Sequence, residues 1–152
     1  MIYRQPGKYY EEFNIGDEYV SMGRSVTEAD ITNFAGVSGN FDQSHTDIEY
    51  AKNTPFGERI AHGLIGLAFI SGLLQRTGLI EGTVFTFLEI SSWKFLAPAR
   101  IGDTLSVRIE ISGKRETKKD DRGIVVLDMN LINQRNEIIQ HGEWKIMMLR
   151  KK

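Results

Sequence analysis

The run Ile60-Ala61-His62-Gly63-Leu64-Ile65-Gly66-Leu67-Ala68-Phe69-Ile70-Ser71-Gly72-Leu73-Leu74 is the longest apolar stretch in the chain. Its apolar side chains would surround most of the circumference of a helix, which is typical of a helix buried on nearly every side. A buried strand is the rival interpretation, but the length of the run and its internal glycines favour a helix. The run is shorter than the roughly 20 apolar residues that cross a bilayer. The sequence therefore predicts a central helix wrapped by a broad sheet, and no membrane contact.

The stretch after this helix changes its period from 3.6 to 2. Thr83–Leu96 is rich in β-branched and aromatic residues, and apolar and polar side chains alternate from Thr104 to Ile111. Val125–Leu131 repeats the alternation, and Ile138–Leu149 is a less regular strand. Because short polar links join the later segments, neighbouring strands are expected to form antiparallel hairpins. The pattern predicts four long antiparallel strands.

A short strand and a short helix are predicted before the central helix. Glu18–Val26 has the composition of a strand. Thr27 and Asp30 have the spacing of a capping box, with Asp in place of the usual Glu. The helix that they begin is expected to end at Gly36 or Gly39, because glycine commonly terminates helices.

A polar connection over residues 39–60 separates the two predicted helices. It contains one expected helical turn, Thr46–Lys52, and the polar side chains best placed for chemistry, among them His45. Connections this long and polar inside a compact domain are often functional. The connection is therefore the first place to look for a site.

These elements predict an α+β fold: about five antiparallel strands curled around one central helix, in a single domain over residues 1–152. Residues 1–13 are polar and aromatic and are expected to form an arm on the surface. One helix cannot cover both faces of such a sheet, so an exposed face or edge is left to pair with another copy. We therefore expect a homodimer, with higher assembly left open.

The composition excludes several classes of protein. The 152 residues carry 19 Lys and Arg against 20 Asp and Glu, without the basic excess typical of nucleic-acid binding. The chain has no cysteine, so disulfides, thiolate metal sites and cysteine nucleophiles are excluded. Its three histidines lack metal-ligand spacing, and no metal site is expected. The first residues have no apolar signal segment, so a cytoplasmic soluble protein is expected.

The polar connection and the start of the central helix resemble a known family. The residues concerned are Ser38-Gly39-Asn40-Phe41-Asp42-Gln43-Ser44-His45-Thr46-Asp47, Thr54-Pro55-Phe56-Gly57 and Arg59-Ile60-Ala61-His62-Gly63-Leu64. In combination they are similar to the MaoC-type (R)-specific enoyl-CoA hydratases, and the resemblance runs from about residue 10 onwards. It implies the hot-dog fold, usually dimerised into a continuous sheet. It also implies addition of water to an enoyl thioester of coenzyme A, or the reverse, with no cofactor beyond the coenzyme A of the substrate.

The resemblance further implies site residues. In the family an Asp and a His on this loop hold the water, and a glycine N–H at the start of the helix binds the thioester oxygen. A helix N-terminus suits that task, because its first N–H groups lack internal partners and carry partial positive charge. Carried over, the histidine is His45, the glycine is Gly63, and a serine near the substrate is Ser71. His62 is grouped with the substrate-binding residues, its simpler role being to cap or orient the helix turn.

The family's Asp does not carry over, because Asn40 occupies its position. Three explanations stay open. Asp42 supplies the carboxylate from a shifted place, with His45 on the same side if the turn is helical. Alternatively, His45 acts alone as acid and base, since imidazole titrates near neutral pH. In the third, the protein binds an acyl-CoA without hydrating it.

Two competing functions follow on the same fold, an acyl-CoA thioesterase and a non-catalytic acyl-CoA-binding module. The phosphates of coenzyme A have several equally open cationic partners: Lys52, Arg59, Lys94 and Arg100.

Overall fold

The sheet and its central helix account for most of the chain. The computed structural model describes residues 7–151. Within that range, six strands form an antiparallel sheet in the order β1-β4-β5-β6-β3, with β2 pairing beside β1 on β4. The helices are α1 (Glu28–Ser38), α2 (Gln43–Thr46), α3 (Ile48–Ala51) and α4 (Gly63–Arg76). The strands are β1 (Glu18–Val20), β2 (Arg24–Ser25), β3 (Val84–Phe95), β4 (Thr104–Glu116), β5 (Arg122–Ile132) and β6 (Ile138–Leu149). The predicted α+β architecture is confirmed.

The four long strands follow the predicted alternation. β4 and β5 form one hairpin and β5 and β6 the next, as the short polar links indicated. β3 instead pairs with β6, with Phe87 opposite Ile146, so it occupies the edge of the sheet. Three register shifts interrupt β3, and Phe87 packs edge-on against the Trp144 ring.

α4 buries one side against the sheet. Ile70 and Leu73 are fully enclosed by core residues of β4, β5 and β6. On the other side Leu64 is 55% exposed, and Ala68 and Ser71 are exposed as well. The expectation of burial on nearly every side is therefore wrong for the single chain, because the sheet curls around only part of the helix.

The first predicted strand is broken in two. β1 and β2 are separated by Ser21–Gly23, whereas one strand was expected over Glu18–Val26. Ser21 donates its backbone N–H to the Val107 carbonyl, and its hydroxyl accepts from the Val107 N–H, both at 2.9 Å. A side-chain oxygen thus takes the place of a backbone carbonyl and interrupts the ladder.

The segment expected as a surface arm is partly core. Gly7 and Lys8 donate backbone hydrogen bonds to Glu81 and Leu79. Tyr10 is 4% exposed and Phe13 is 1% exposed, so both rings belong to the hydrophobic core. The prediction is wrong for residues 7–13, because burying two aromatic rings outweighs leaving a polar segment in water. Residues 1–6 lie outside the described residues.

The helix before the connection begins and ends as predicted. Thr27 and Asp30 form both bonds of the capping box, and the Asp30 carboxylate accepts the Thr27 N–H at 2.8 Å. The helix ends at Gly39, whose φ of 76° lies in the left-handed region where glycine meets no steric cost. This cap turns the chain into the polar connection.

Candidate active site

A series of side-chain caps builds the loop after α1. The Asn40 amide oxygen accepts the Asp42 N–H at 3.1 Å. The Asp42 carboxylate in turn accepts the Ser44 N–H at 2.9 Å and caps α2. Such local bonds favour a tight turn over a longer helix. They place His45 on the short helix α2.

The His45 ring is anchored by the segment that leads into α4. Its Nδ1 lies 2.8 Å from the Ile60 carbonyl oxygen. Because a carbonyl only accepts, Nδ1 carries the proton, and Nε2 of the neutral ring carries the lone pair. Ile60 is itself held by a bridge to Arg100 and by a backbone bond to Ser44. The free nitrogen of His45 is therefore the one available to a substrate.

His62 stands at the N-cap position of α4 but does not cap it with its side chain. Its ring centroid lies 3.9 Å from that of His45, and its Nε2 lies 2.9 Å from the Asn40 carbonyl oxygen. Burial lowers the pKa of His62, and the nearby His45 ring lowers it further, against the Asn40 bond and Asp42. The side chain therefore does not cap the helix, but its contact with Asn40 ties the loop to the helix start, in agreement with the expected alternative of orienting this turn.

Gly63 is the first residue of α4. An N–H at this position has no acceptor within the helix and points along the positive end of the helix dipole. The Gly63 carbonyl accepts from the side-chain amide of Gln140 at 2.8 Å. The Phe95 ring packs where a side chain at position 63 would begin, so only glycine leaves the ring undisturbed.

These groups line one cavity of about 380 Å³. Its polar wall contains His45, His62, Gly63 and Gln140, and Phe56 and Phe95 are among its apolar lining residues. The sequence prediction that His45 and Gly63 converge is therefore met in the geometry. The chemical role of each residue stays a prediction.

The other predicted site residues do not line this cavity. Asn40 and Asp42 lie in its supporting loop, where their side chains accept backbone N–H groups. Ser71 lines a second cavity of about 460 Å³, together with Phe87 and Trp144. At about 1.5 Å per residue, Ser71 lies roughly 12 Å along the helix from Gly63. Ser71 therefore lies apart from His45 and Gly63 within one chain, and its role in substrate binding stays a prediction.

Asp42 is electrostatically a poor base. Bonds from the Ser44 hydroxyl and the Ser44 N–H lower the pKa of Asp42, and His45 and His62 lower it further, while a small desolvation of this exposed carboxylate opposes them. Hydrogen bonds to the charged form of a carboxylate favour that form. The Asp42 carboxylate is therefore a weaker base than a free aspartate.

Gln140 is the site residue that sequence reasoning missed. It lies on a core-facing position of β6 and is only 3% exposed. Its amide nitrogen donates to Gly63, and its amide oxygen accepts from the Trp93 indole at 3.2 Å. The sequence signal that could have identified it is a polar residue at the irregular start of the last predicted strand. Because buried amides are almost always hydrogen-bonded, a glutamine in such a strand indicates a specific partner.

Most of the cations proposed for coenzyme A already have acidic partners. Arg59 forms a bidentate pair with Glu28, Arg100 pairs with Glu58, and Lys52 pairs with Glu49. Lys94 forms no salt bridge within residues 7–151.

No group of three or more His, Asp or Glu side chains within residues 7–151 could hold a metal ion. None of the described helices is long and apolar enough to cross a membrane.

The chain is similar to a known domain family and to curated proteins. The model of the family described as "MaoC like domain" matches residues 12–130. Protein MaoC of Klebsiella aerogenes is 36% identical over 76% of this chain, which covers 33% of that protein. The (R)-specific enoyl-CoA hydratase of Rhodospirillum rubrum is 35% identical over 73% of this chain and 74% of its own length. The chain thus spans about a third of the first relative and most of the second.

Solved structures share the fold. The monoamine oxidase regulatory protein of Archaeoglobus fulgius superposes with a TM-score of 0.90, at 30% identity, over 99% of this chain and all of that one. R-Hydratase PhaJ1 of Pseudomonas aeruginosa has a TM-score of 0.77 at 31% identity, over 94% of this chain and 86% of its own. A Mycobacterium tuberculosis protein described as a double hotdog fold has a TM-score of 0.80 at 19% identity, over 95% of this chain and 45% of that one. The expected hot-dog fold is confirmed.

Proposed function

The chain belongs to the MaoC-like domain family, and from that membership we propose that it is an acyl-CoA dehydratase of the (R)-specific enoyl-CoA hydratase type. It adds water across the 2,3 double bond of an enoyl-CoA to give a 3-hydroxyacyl-CoA, or removes that water. The reaction needs no cofactor, because coenzyme A enters as part of the substrate. A cytoplasmic location, expected from the sequence, is part of the proposal.

The observation that supports this proposal most directly is that His45 and Gly63, the first residue of α4, line one cavity, while Nδ1 of His45 is held by the Ile60 carbonyl. Hydration needs a base at the water and a hydrogen-bond donor at the thioester oxygen. The His45 ring and the Gly63 N–H supply this pair of groups from two independent elements.

A single imidazole can carry out both proton transfers of the proposed hydration. The water oxygen bonds to C3 while its proton passes to Nε2 of His45, and the electrons of the double bond move towards the thioester oxygen. The Gly63 N–H donates to that oxygen as its negative charge grows. The proton on His45 then passes to C2 and the thioester carbonyl reforms. In the reverse direction the same ring takes the C2 proton and returns it to the leaving hydroxyl.

Of the three explanations for Asn40, this geometry favours the second, in which His45 acts alone. The Asp42 carboxylate is committed to Ser44 and its pKa is lowered by those bonds. The Asn40 amide oxygen accepts the Asp42 N–H. Both side chains therefore stabilise the loop that positions His45.

The lining of the cavity also supports a second candidate function, a non-catalytic acyl-CoA-binding module. Within residues 7–151 no carboxylate lines the cavity, whereas the family uses an Asp there. Such a module would hold the thioester at Gly63 without turning it over.

Incubation of the purified protein with crotonyl-CoA tests the proposal through loss of the conjugated absorbance. We expect turnover by the wild type, and a fall in kcat of about 10²- to 10⁴-fold in His45→Ala, the usual contribution of a general acid–base group. His141→Ala is the matched control, since His141 lies on the outer side of β6 and contacts Asn130.

Two results would contradict the proposal. Binding of crotonyl-CoA without turnover would establish the binding module. Release of free thiol from a saturated acyl-CoA, with no hydration, would establish a thioesterase.

We further propose a homodimer. Apolar side chains remain exposed along the edge strand β3, and a free edge of this kind is a template for pairing with another strand. The exposed residues are Phe85, Phe87, Leu88 and Ile90. A second copy would also cover the open side of α4 at Leu64.

A further inference from the structure

His62 lies between two rings that belong to different elements. The Phe34 ring of α1 is 4.9 Å from it and the His45 ring of α2 is 3.9 Å from it, centroid to centroid. The residue is only 3% exposed. The position and tilt of His45 are therefore limited on one side by the face of His62.

The two imidazoles hold opposite tautomers. His62 presents Nε2 to the Asn40 carbonyl, and His45 presents Nδ1 to the Ile60 carbonyl. Since carbonyl oxygens only accept, each of these nitrogens carries a proton. The remaining nitrogen of His62, Nδ1, is enclosed and has no hydrogen-bond partner among the described residues.

The unpartnered nitrogen has a direct consequence. A proton on Nδ1 would create a buried cation with no acceptor, next to the ring that the reaction must protonate. Like charges at this separation repel strongly in a partly dehydrated site. The pair can therefore accept one proton readily, and the geometry assigns it to His45.

We propose that His62 is a positioning residue for His45, an inference that rests on the function proposed above. Its N–H to Asn40 fixes the loop, its face fixes the imidazole, and its neutral form keeps the reacting proton on His45. The residue acts through His45 and not on the substrate.

The charged groups that face the pair support this assignment. The Asp42 carboxylate raises the pKa of His62 and so opposes the effect of burial. The Arg59 guanidinium touches the His45 carbonyl at 3.4 Å, but Glu28 of α1 neutralises it. From the sheet side, β3 and β6 present the uncharged Phe95 and Gln140. The enclosure of His62 outweighs the effect of Asp42, since the pKa of His62 is lowered overall.

The first test needs no catalysis. In ¹⁵N-labelled protein at pH 7.5, long-range proton–nitrogen spectra identify the protonated nitrogen of each ring. We expect the Nδ1–H form for His45 and the Nε2–H form for His62. A His62 ring that is a cation at this pH, or that carries its proton on Nδ1, would overturn the proposal, whether or not the protein hydrates crotonyl-CoA.

The second test compares two substitutions of similar size. His62→Leu removes the N–H to Asn40, whereas His62→Gln keeps an N–H that can donate there. We expect His62→Leu to lower kcat about tenfold to a hundredfold, as misplacement by about 1 Å does, with KM little changed. His62→Gln should recover part of that loss.

His141→Leu is the control, since it removes a histidine far from the cavity. Equal kcat in the Leu and Gln variants, together with an unchanged His45 tautomer in both, would show that His62 is only a packing residue and would overturn the proposal. If the wild type did not turn over crotonyl-CoA, the proposed function would be refuted. The tautomers of His45 and His62 would still test the positioning role independently.

Discussion

Asp42 is either the general base or only a helix cap, and a substitution of this residue distinguishes the two roles. Asn is as good an N-cap as Asp, so Asp42→Asn should preserve α2 and the loop. Because the carboxylate caps the helix and does not line the cavity, we expect kcat near the wild-type value. Loss of a true general base would lower kcat about 10²- to 10⁴-fold, and steady-state kinetics on crotonyl-CoA distinguishes the two.

His62 makes a prediction about stability and pH. Burial lowers the pKa of His62 in the folded protein, while in the unfolded chain a histidine titrates near about 6.5. Below that pH the unfolded state binds more protons, so the free energy of unfolding falls as the pH falls. Urea denaturation at about pH 7.5 and pH 5.5 should show this fall in the wild type and a smaller one in His62→Phe. An identical fall in His62→Phe would contradict the assignment, and His141→Phe should behave as the wild type.

Sequence reasoning identified some site residues and not the contacts between them. His45 and Gly63 stand at recognisable places, a polar loop and the start of an apolar helix, and they share a cavity as predicted. The stacking of His62 on His45 joins residues 17 positions apart through the fold of the loop. No periodicity or local motif encodes such a contact, so it could not be predicted from the sequence.

The helix α4 packs closely against the sheet at a glycine, Gly66. A Cβ on Gly66 would fall on the side-chain amide of Gln140, which bonds to Gly63. We expect Gly66→Ala to destabilise the protein by about 1–3 kcal/mol, the usual cost of overpacking, and to lower kcat through the displaced helix start. The measurements are urea denaturation and crotonyl-CoA turnover.

Gly36→Ala is the matched control for that substitution. Gly36 lies within α1 with open space where its side chain would be. Alanine there should stabilise the helix by up to about 1 kcal/mol. If both substitutions stabilised the protein, the close contact between α4 and Gln140 would be refuted.

Elements were predictable where their signals were local. The Thr27 cap, the Gly39 terminator and the alternation of β4 and β5 each depend on neighbouring residues, and each was found as expected. The burial of Tyr10 depends on Gly123, whose missing side chain leaves room for the ring, and the interruption of the first strand depends on Val107. Both are set by partners about a hundred residues away, which a pattern along the chain does not record.

The whole molecule is predicted to sediment as a dimer through the β3 edge. Leu88→Lys places a charge on that edge, a change that disfavours strand pairing. We expect analytical ultracentrifugation to show twice the chain mass for the wild type and a shift towards the single chain for Leu88→Lys. Ile15→Lys, an exposed position beside the opposite edge strand β1, should leave the dimer intact. A wild-type monomer would refute the proposed homodimer.

The pairing of β3 with β6 sets an order on biosynthesis. A ribosome releases α4 and β3 long before it releases Ile138–Leu149, which among residues 7–151 is the one strand that pairs with β3. Until then the apolar side of α4 is only partly covered by the sheet. Contacts between residues this distant in sequence form slowly. A nascent chain stalled before residue 138 should therefore engage chaperones, and release of Ile138–Leu149 should complete the sheet around α4 in one cooperative event.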